Sequence, residues 1–156
     1  MQVQLIEREP VRVAYLRHTG PYGQAINDFW QRQFVPFAQA HGLLGAPRYG
    51  ISHDDPIITA PAQCRYDAAV EVPANFVPSH GALITTLPGG RYARTGYKGN
   101  AADIGATWQA LLRDWLPASR LQLDGRPCFE YYGAQHGFDE ASGSFCCDIV
   151  VPVAPL

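Results

Sequence analysis

The chain has 156 residues, of which 47% are hydrophobic, and this is enough to build one globular core. Its net charge of −2 is not that of a dedicated nucleic-acid-binding protein, which normally presents a basic face to the phosphates. No apolar run approaches the roughly 20 residues that a transmembrane helix needs, and the N-terminus does not resemble a signal peptide. We therefore expect a cytoplasmic protein with no direct nucleic-acid contact and no membrane partner.

A hairpin followed by a helix is predicted at the start of the chain. Hydrophobic residues alternate with polar ones over residues 3–5, and a turn at Pro10 leads into the β-prone segment 11–19. Hydrophobic residues then recur at three- and four-residue spacing over residues 26–37, which indicates an amphipathic helix. Pro36 has no backbone donor, so we expect this helix to kink or restart there.

Two strands are predicted to complete the first half. Gly42 is a typical helix stop, and segments 48–53 and 65–72 have the composition of strands. We interpret His53-Asp54-Asp55-Pro56 as a turn rather than a metal site, because neighbouring residues rarely converge on one ion. Residues 74–80 are too short and too apolar for a flexible linker, so both halves are expected to share one sheet.

The second half predicts the same elements in the same order. Segments 82–87 and 91–97 flank Pro88-Gly89-Gly90, whose residue types favour a tight turn, so a second hairpin is expected. A second amphipathic helix is predicted over residues 104–115. Pro117 should end this helix.

The last predicted strands, segments 128–134 and 144–151, complete an internal repeat. A shift of about 80 positions aligns Arg12-Val13-Ala14 with Arg91-Tyr92-Ala93, Gly20 with Gly99, Trp30 with Trp108, Pro47-x-Tyr49 with Pro127-x-Phe129, and Val72-Pro73 with Val151-Pro152. The sequence thus predicts one α+β domain over residues 1–156. We expect it to be a tandem repeat of β-β-α-β-β units with pseudo-two-fold symmetry, at about 2–73 and 81–152.

Motifs for metal, cofactor or nucleophile chemistry are missing from the sequence. The four cysteines have no paired C-x-x-C spacing, and adjacent cysteines on a strand point to opposite faces, which is typical of reduced packing residues. The sequence contains neither a Walker lysine nor a Gly-x-Ser-x-Gly or HExxH motif. We therefore expect no metal and no cofactor, and a nucleophilic enzyme has little direct support.

Glu130 is the first candidate for a binding residue, because it lies inside the apolar strand Cys128-Phe129-Glu130-Tyr131-Tyr132. Strand alternation places Glu130 and Tyr132 on one face, and Phe129 and Tyr131 on the other. If the latter pair packs beneath the helices, Glu130 projects from the open face of the sheet beside an aromatic ring. A carboxylate there could pair with a ligand cation that also lies over ring faces. The alternative is a solvated glutamate on an edge strand.

Aromatic side chains are candidates for the walls of the same site. Tyrosines are frequent on the predicted strands, where their rings can line a flat pocket with polar tips. The alternative is that aromatic residues simply favour half-buried sheet surfaces, which accounts for most of them. The predicted ligand-binding residues are Glu130, Tyr132, Tyr15, Tyr66, Tyr92 and Trp108.

Six segments are distinctive in their order and spacing: 13–22, 50–56, 64–67, 89–93, 115–117 and 127–132. Together they cover nearly the whole chain and resemble the GyrI-like (gyrase-inhibitor-like) small-molecule-binding domains. The resemblance implies a duplicated fold with two main helices, a curved antiparallel sheet and a central cleft for hydrophobic, often cationic, compounds. It also implies that Glu130, in the segment Phe129-Glu130-Tyr131-Tyr132, is the acidic residue of that pocket.

The resembled family includes effector-binding domains of AraC-type and MerR-type transcription regulators, free-standing gyrase inhibitors, and hydrolases of strained cyclopropane-containing toxins. Because the repeat begins almost at Met1, no helix-turn-helix region is expected before it, and transcriptional control would need a separate regulator. Our preferred hypothesis is a stand-alone binding protein for a hydrophobic or cationic small molecule. The alternatives are a modulator of a protein partner such as DNA gyrase, and a hydrolase of strained electrophiles in which Glu130 activates water.

Overall fold

The computed structural model describes residues 1–134, 136–139 and 141–156. Within them, ten strands form one antiparallel sheet that curls around its own core. The strands are β1 (Gln4–Arg8), β2 (Val11–Thr19), β3 (Arg48–Ser52), β4 (Arg65–Glu71), β5 (Leu83–Leu87), β6 (Gly90–Gly99), β7 (Leu121–Leu123), β8 (Cys128–Tyr132), β9 (Phe138–Asp139) and β10 (Ser144–Pro155). Both halves contribute to this one sheet, as predicted.

Two helices pack on the sheet, and each consists of three consecutive segments. They are α1 (Gln24–Phe29, Trp30–Phe34 and Val35–Ala40) and α2 (Ile104–Gln109, Ala110–Trp115 and Leu116–Ala118), of which the middle segment is π-helical in both cases. A proline follows each π-helical turn, Pro36 in α1 and Pro117 in α2. A proline cannot donate to the preceding turn and its ring needs room there, so the wider turn accommodates it. The predicted restart at Pro36 and the predicted end near Pro117 are both confirmed.

The helix ends also follow from the sequence. Gly42 terminates α1 with a positive φ of 68°, and the amide of Leu43 bonds back to the carbonyl of Ala38, as in a Schellman motif. Within the described residues, neither helix is long and apolar enough to cross a membrane.

The strand order is β1-β6-β10-β8-β3-β4-β2-β5, with β7 and β9 pairing separately with β10. Strand β1 pairs with β6, and β5 pairs with β2, so the two predicted hairpins are wrong. Each half instead gives its first strand to the other half. The two connections lie close together, because a Cβ atom at position 89 would be 2.7 Å from the Arg8 carbonyl oxygen and 2.8 Å from Pro10 Cδ. The connections pass each other side by side instead of folding back.

The centre of the sheet is the antiparallel pair β3 and β8. In this pair Arg48 lies opposite Tyr132, Gly50 opposite Glu130, and Ser52 opposite Cys128. The sequence repeat also relates position 50 to position 130, so these two residues lie on the pseudo-two-fold axis. One copy of the axial position carries a carboxylate and the other carries no side chain.

Gly50 leaves room for the hydroxyl of Tyr66 on strand β4. A Cβ atom at position 50 would overlap that hydroxyl and would lie 2.7 Å from Glu130 Oε1. The space that a side chain would fill is therefore occupied by a phenol that reaches the carboxylate.

Hydrophobic side chains pack in three clusters. One lies under α1 and contains Ala14, Phe34, Phe37, Tyr66 and Val70; one lies under α2 and contains Ala93, Leu111, Leu116, Ile149 and Val151; the third contains Val13, Tyr49, Tyr92, Phe129 and Val150. The third cluster has no helical member, so it fills the sheet face that points away from the helices.

This arrangement corrects the predicted faces of β8. Phe129 and Tyr131 belong to the third cluster and do not pack beneath the helices, whereas Glu130 lies on the helix side of the sheet. The alternation itself was right. Because β8 is a central strand covered on both sides, its sequence does not distinguish the two faces.

We predict that Gly50→Ala destabilises the protein by about 1–3 kcal/mol, because the added methyl group overpacks a filled space. Tyr66→Phe removes the hydroxyl that the methyl group overlaps, so the double variant should be less destabilised than the sum of the two single variants. Urea unfolding of the four proteins gives the free energies needed.

Gly45→Ala is the matched control, since nothing lies within 4 Å of a Cβ atom at position 45. Its free energy of unfolding should differ from wild type by no more than about 0.5 kcal/mol. Strict additivity of Gly50→Ala and Tyr66→Phe would contradict the proposed packing.

Candidate functional site

A cavity of about 910 Å³ lies between the two helices and the central strands. Its walls include Ile26, Trp30, Ile104, Trp108 and Leu112 from the helices, and its floor includes Arg48, Ser52, Cys128, Glu130 and Tyr132 from β3 and β8. A predominantly hydrophobic cavity of this size, with a few polar groups, is typical of a small-molecule site.

Glu130 forms the polar centre of the floor and is only 7% exposed. Its Oε1 accepts hydrogen bonds from the hydroxyl groups of Tyr66 at 3.0 Å and Tyr132 at 3.2 Å. Trp108 Nε1 lies 3.5 Å from Oε2, a long contact that leaves this oxygen weakly satisfied. The Tyr66 hydroxyl in turn accepts a hydrogen bond from Trp30 Nε1 at 3.0 Å, so tryptophans of both helices are connected to the carboxyl group.

Burial raises the pKa of Glu130 above its ordinary value, and the hydrogen bonds from Tyr66, Trp108 and Tyr132 only partly oppose this. Burial also raises the pKa of both phenols, which therefore remain neutral donors. Burial therefore favours the protonated acid more than it does for a solvent-exposed glutamate. Its contribution to stability is full below the unfolded glutamate pKa of about 4.3 and is lost as the pH rises through the folded value.

The charge environment of Glu130 differs from that of the other buried acid, Asp67. Asp67 is 2% exposed and accepts bonds from Arg17 at 2.7 and 3.0 Å and from His53 at 2.6 Å. Burial raises the pKa of Asp67, but these partners outweigh it and hold the pKa below its ordinary value. Glu130 forms no ion pair with a lysine, arginine or histidine of the described residues.

Aromatic rings surround the carboxyl group on several sides. The ring of Trp30 lies edge-on to those of Tyr66 and Tyr132, with centroids 6.4 and 5.8 Å apart. Phe145 packs against Tyr132 with a centroid distance of 6.2 Å. An organic cation placed here would meet both a carboxylate and ring faces, which attract positive charge.

Four of the six predicted ligand-binding residues line this cavity together, namely Glu130, Tyr132, Tyr66 and Trp108. The other two, Tyr15 and Tyr92, lie on the opposite sheet face. Tyr92 is fully buried in the third cluster with its hydroxyl bonded to the Pro88 carbonyl, and Tyr15 packs against the same cluster. Alternation along β2 and β6 directs these rings away from the cavity, so neither ring lines it.

Sequence reasoning missed Trp30 and Arg48, which both line the cavity. The signal for Trp30 was present, because the repeat aligns it with Trp108. Arg48 is aligned with Cys128 rather than with another charged residue, so the repeat carried no signal for it.

The mouth of the cavity carries charged residues that are already paired. Asp54 accepts two hydrogen bonds from the Arg65 guanidinium at 3.0 Å each, and Asp55 lies 3.9 Å from Arg113 of α2. The Asp55 side chain also accepts the amide of Ile57 at 2.9 Å, in agreement with the predicted turn. These acids are satisfied within the protein, in contrast to Glu130.

The sequence of the chain was compared with protein families and with known proteins. The family described as GyrI-like small molecule binding domain matches residues 1–154. A protein named DNA gyrase inhibitor from Edwardsiella piscicida is 32% identical over 157 residues, which cover 98% of each chain.

Solved structures share the fold. The crystal structure of the EcmrR C-terminal domain has a TM-score of 0.77 at 13% identity, covering 99% of this chain and 98% of that one. The structure of SAV2435 bound to tetraphenylphosphonium has a TM-score of 0.64 at 18% identity, covering 99% and 94%. The fold agrees with the family match over the whole length, and the chain belongs to the GyrI-like small-molecule-binding family.

Proposed function

We propose that the chain binds a hydrophobic organic cation in the cavity between α1 and α2, with the positive charge beside Glu130. The observation that carries the proposal is a buried carboxyl group without a cationic partner among the described residues. An ionised carboxylate in such a place costs several kcal/mol unless a counter-charge approaches it. A ligand cation supplies that charge, and the aromatic walls exclude water from it.

The comparisons support the choice of ligand class. SAV2435, which shares the fold, is bound to tetraphenylphosphonium in its structure. This compound is an aromatic monocation whose charge does not change with pH, so it is a suitable first probe for the cavity of the present chain.

We predict that tetraphenylphosphonium binds the wild-type chain and quenches the fluorescence of Trp30 and Trp108, which line the cavity. Glu130→Gln keeps the shape of the side chain but removes its charge, so affinity should fall about tenfold or more. Tetraphenylborate has the same shape and the opposite charge, and it should bind much more weakly to wild type. Titration followed by tryptophan fluorescence measures all three dissociation constants.

Glu7→Gln is the matched control, because Glu7 is exposed on β1 and loses the same charge far from the cavity. Its affinity should equal that of wild type. If Glu130→Gln binds the cation as tightly as Glu7→Gln does, charge pairing in the cavity is not the basis of recognition.

The pH dependence of affinity provides a separate prediction. Because burial raises the pKa of Glu130, the neutral acid persists to a higher pH than it does for an exposed glutamate. Tetraphenylphosphonium favours the ionised form, so its affinity should rise with pH, by at most about tenfold per pH unit, and level off above the folded pKa. Calorimetric titration from pH 5 to 8 should show this rise in wild type and a flat profile in Glu130→Gln. A flat profile in both proteins would be inconsistent with the proposal.

A second candidate function is the modulation of DNA gyrase. It is favoured by the relative from Edwardsiella piscicida, which is named for this inhibition and aligns over 98% of both chains. Hydrolysis, the remaining alternative, has no such observation, because the hydrolases from Listeria innocua share only the fold, at 10–11% identity.

The gyrase candidate predicts that the purified chain lowers plasmid supercoiling by bacterial DNA gyrase in a dose-dependent manner. A binding function alone predicts no effect at any dose. The assay is repeated with tetraphenylphosphonium at saturation. If the inhibition of supercoiling changes, the inhibitory surface depends on the cavity; if it stays the same, the surface is independent of the cavity. Supercoiling that stays unchanged up to a large molar excess of the chain would rule this candidate out.

A further inference from the structure

The floor of the cavity carries a second charged group, the guanidinium of Arg48. Arg48 and Glu130 lie on the same face of the central strand pair, since Arg48 is opposite Tyr132 and Glu130 is opposite Gly50. Such diagonal neighbours stand about 7–8 Å apart. Tyr132 contacts both residues. The centroid of its ring lies 5.9 Å from Arg48 Cζ, and the Tyr132 hydroxyl donates a hydrogen bond to Glu130.

Arg48 is half-buried and has no acidic partner among residues 1–134, 136–139 and 141–156. The acids at the cavity mouth do not serve it, because Asp54 pairs with Arg65 and Asp55 with Arg113. Its guanidinium lies over the ring of Tyr132, with Cζ 5.9 Å from the ring centroid. Arginine readily combines such ring stacking with bidentate recognition of a carboxylate.

Among the described residues, neither the buried acid Glu130 nor the half-buried base Arg48 forms an ion pair, although both belong to the same cavity floor. A simple monocation would compensate only Glu130 and would be repelled by Arg48. A ligand that carries a cationic and an anionic group would compensate both, and a planar guanidinium can hold a carboxylate through two parallel hydrogen bonds.

We propose that the cavity selects zwitterionic aromatic ligands, whose cationic group lies at Glu130 and whose carboxylate lies at Arg48. This inference rests on the proposed function and specifies its ligand class. Arg48 is then a specificity-determining residue that separates zwitterions from simple cations.

The test uses a rhodamine dye with a free carboxylate and the methyl ester of the same dye. The two dyes share the cationic ring system and differ only in the anionic group. Dissociation constants are measured at pH 8 by fluorescence anisotropy and checked by equilibrium dialysis. The variants are Arg48→Met, Glu130→Gln and, as a control, Arg91→Met on the exposed part of β6.

Wild type should bind the free acid more tightly than the ester. Arg48→Met should weaken binding of the acid about tenfold, the loss of one charge-assisted contact, and should leave or improve binding of the ester. Glu130→Gln should weaken both dyes, and Arg91→Met should change neither. Far-UV circular dichroism and thermal unfolding verify that each variant is folded, and Arg48→Lys, which keeps the charge, should retain part of the preference if Arg48→Met unfolds.

Two failures can be told apart. If the ester binds through Glu130 but the acid shows no dependence on Arg48, this inference is wrong and the proposed function stands. If neither dye binds wild type, the proposed function fails and the inference fails with it.

Discussion

The burial of one carboxyl group at the symmetry axis of a duplicated sheet is the constraint around which the site is arranged. Strands β3 and β8 meet at this axis, where Gly50 faces Glu130. Two side chains of glutamate size would compete for the same space, and even a methyl group at position 50 would displace the Tyr66 hydroxyl. The two halves therefore differ at the central position of the repeat. As a result, the cavity that both halves enclose has one carboxyl group at this position instead of two.

The described surroundings of that acid supply hydrogen bonds but no counter-charge. Phenol and indole groups reach it from β4, β8 and α2, and none of them carries charge. Asp67, at comparable depth, instead pairs with the guanidinium of Arg17 and is hydrogen-bonded to His53. The contrast assigns different roles to the two acids. Asp67 stabilises the connection between strands. Glu130 has no counter-charge among the described residues, and a cationic ligand can supply one.

Local sequence patterns predicted the elements well. Hydrophobic periodicity located both helices, prolines located their restart and end, and the 80-residue shift indicated the duplication. The patterns did not predict which strands pair. Turn residues at Pro10 and Pro88-Gly89-Gly90 are compatible with a hairpin or with a crossing connection, and the pairing of β1 with β6 and of β5 with β2 distinguishes the two.

The site was predictable to the extent that it depends on alternation within one strand. Glu130 and Tyr132 follow from β8 alone, and Tyr66 and Trp108 join them in the cavity. Tyr15 and Tyr92 could not be excluded from sequence, because the face of a central strand is set by the curl of the whole sheet. That Arg48 has no acidic partner within the described part of the chain depends on contacts between distant residues, so it becomes visible only in three dimensions.

The titration of the Glu130 carboxyl group, followed by carbon-detected NMR in the free and tetraphenylphosphonium-bound protein, tests this account most directly. We expect a pKa above the ordinary glutamate value in the free protein and a clear decrease when the cation binds, because the bound charge favours the carboxylate. An ordinary pKa in the free protein, or a pKa that stays the same on saturation with the cation, would contradict the account.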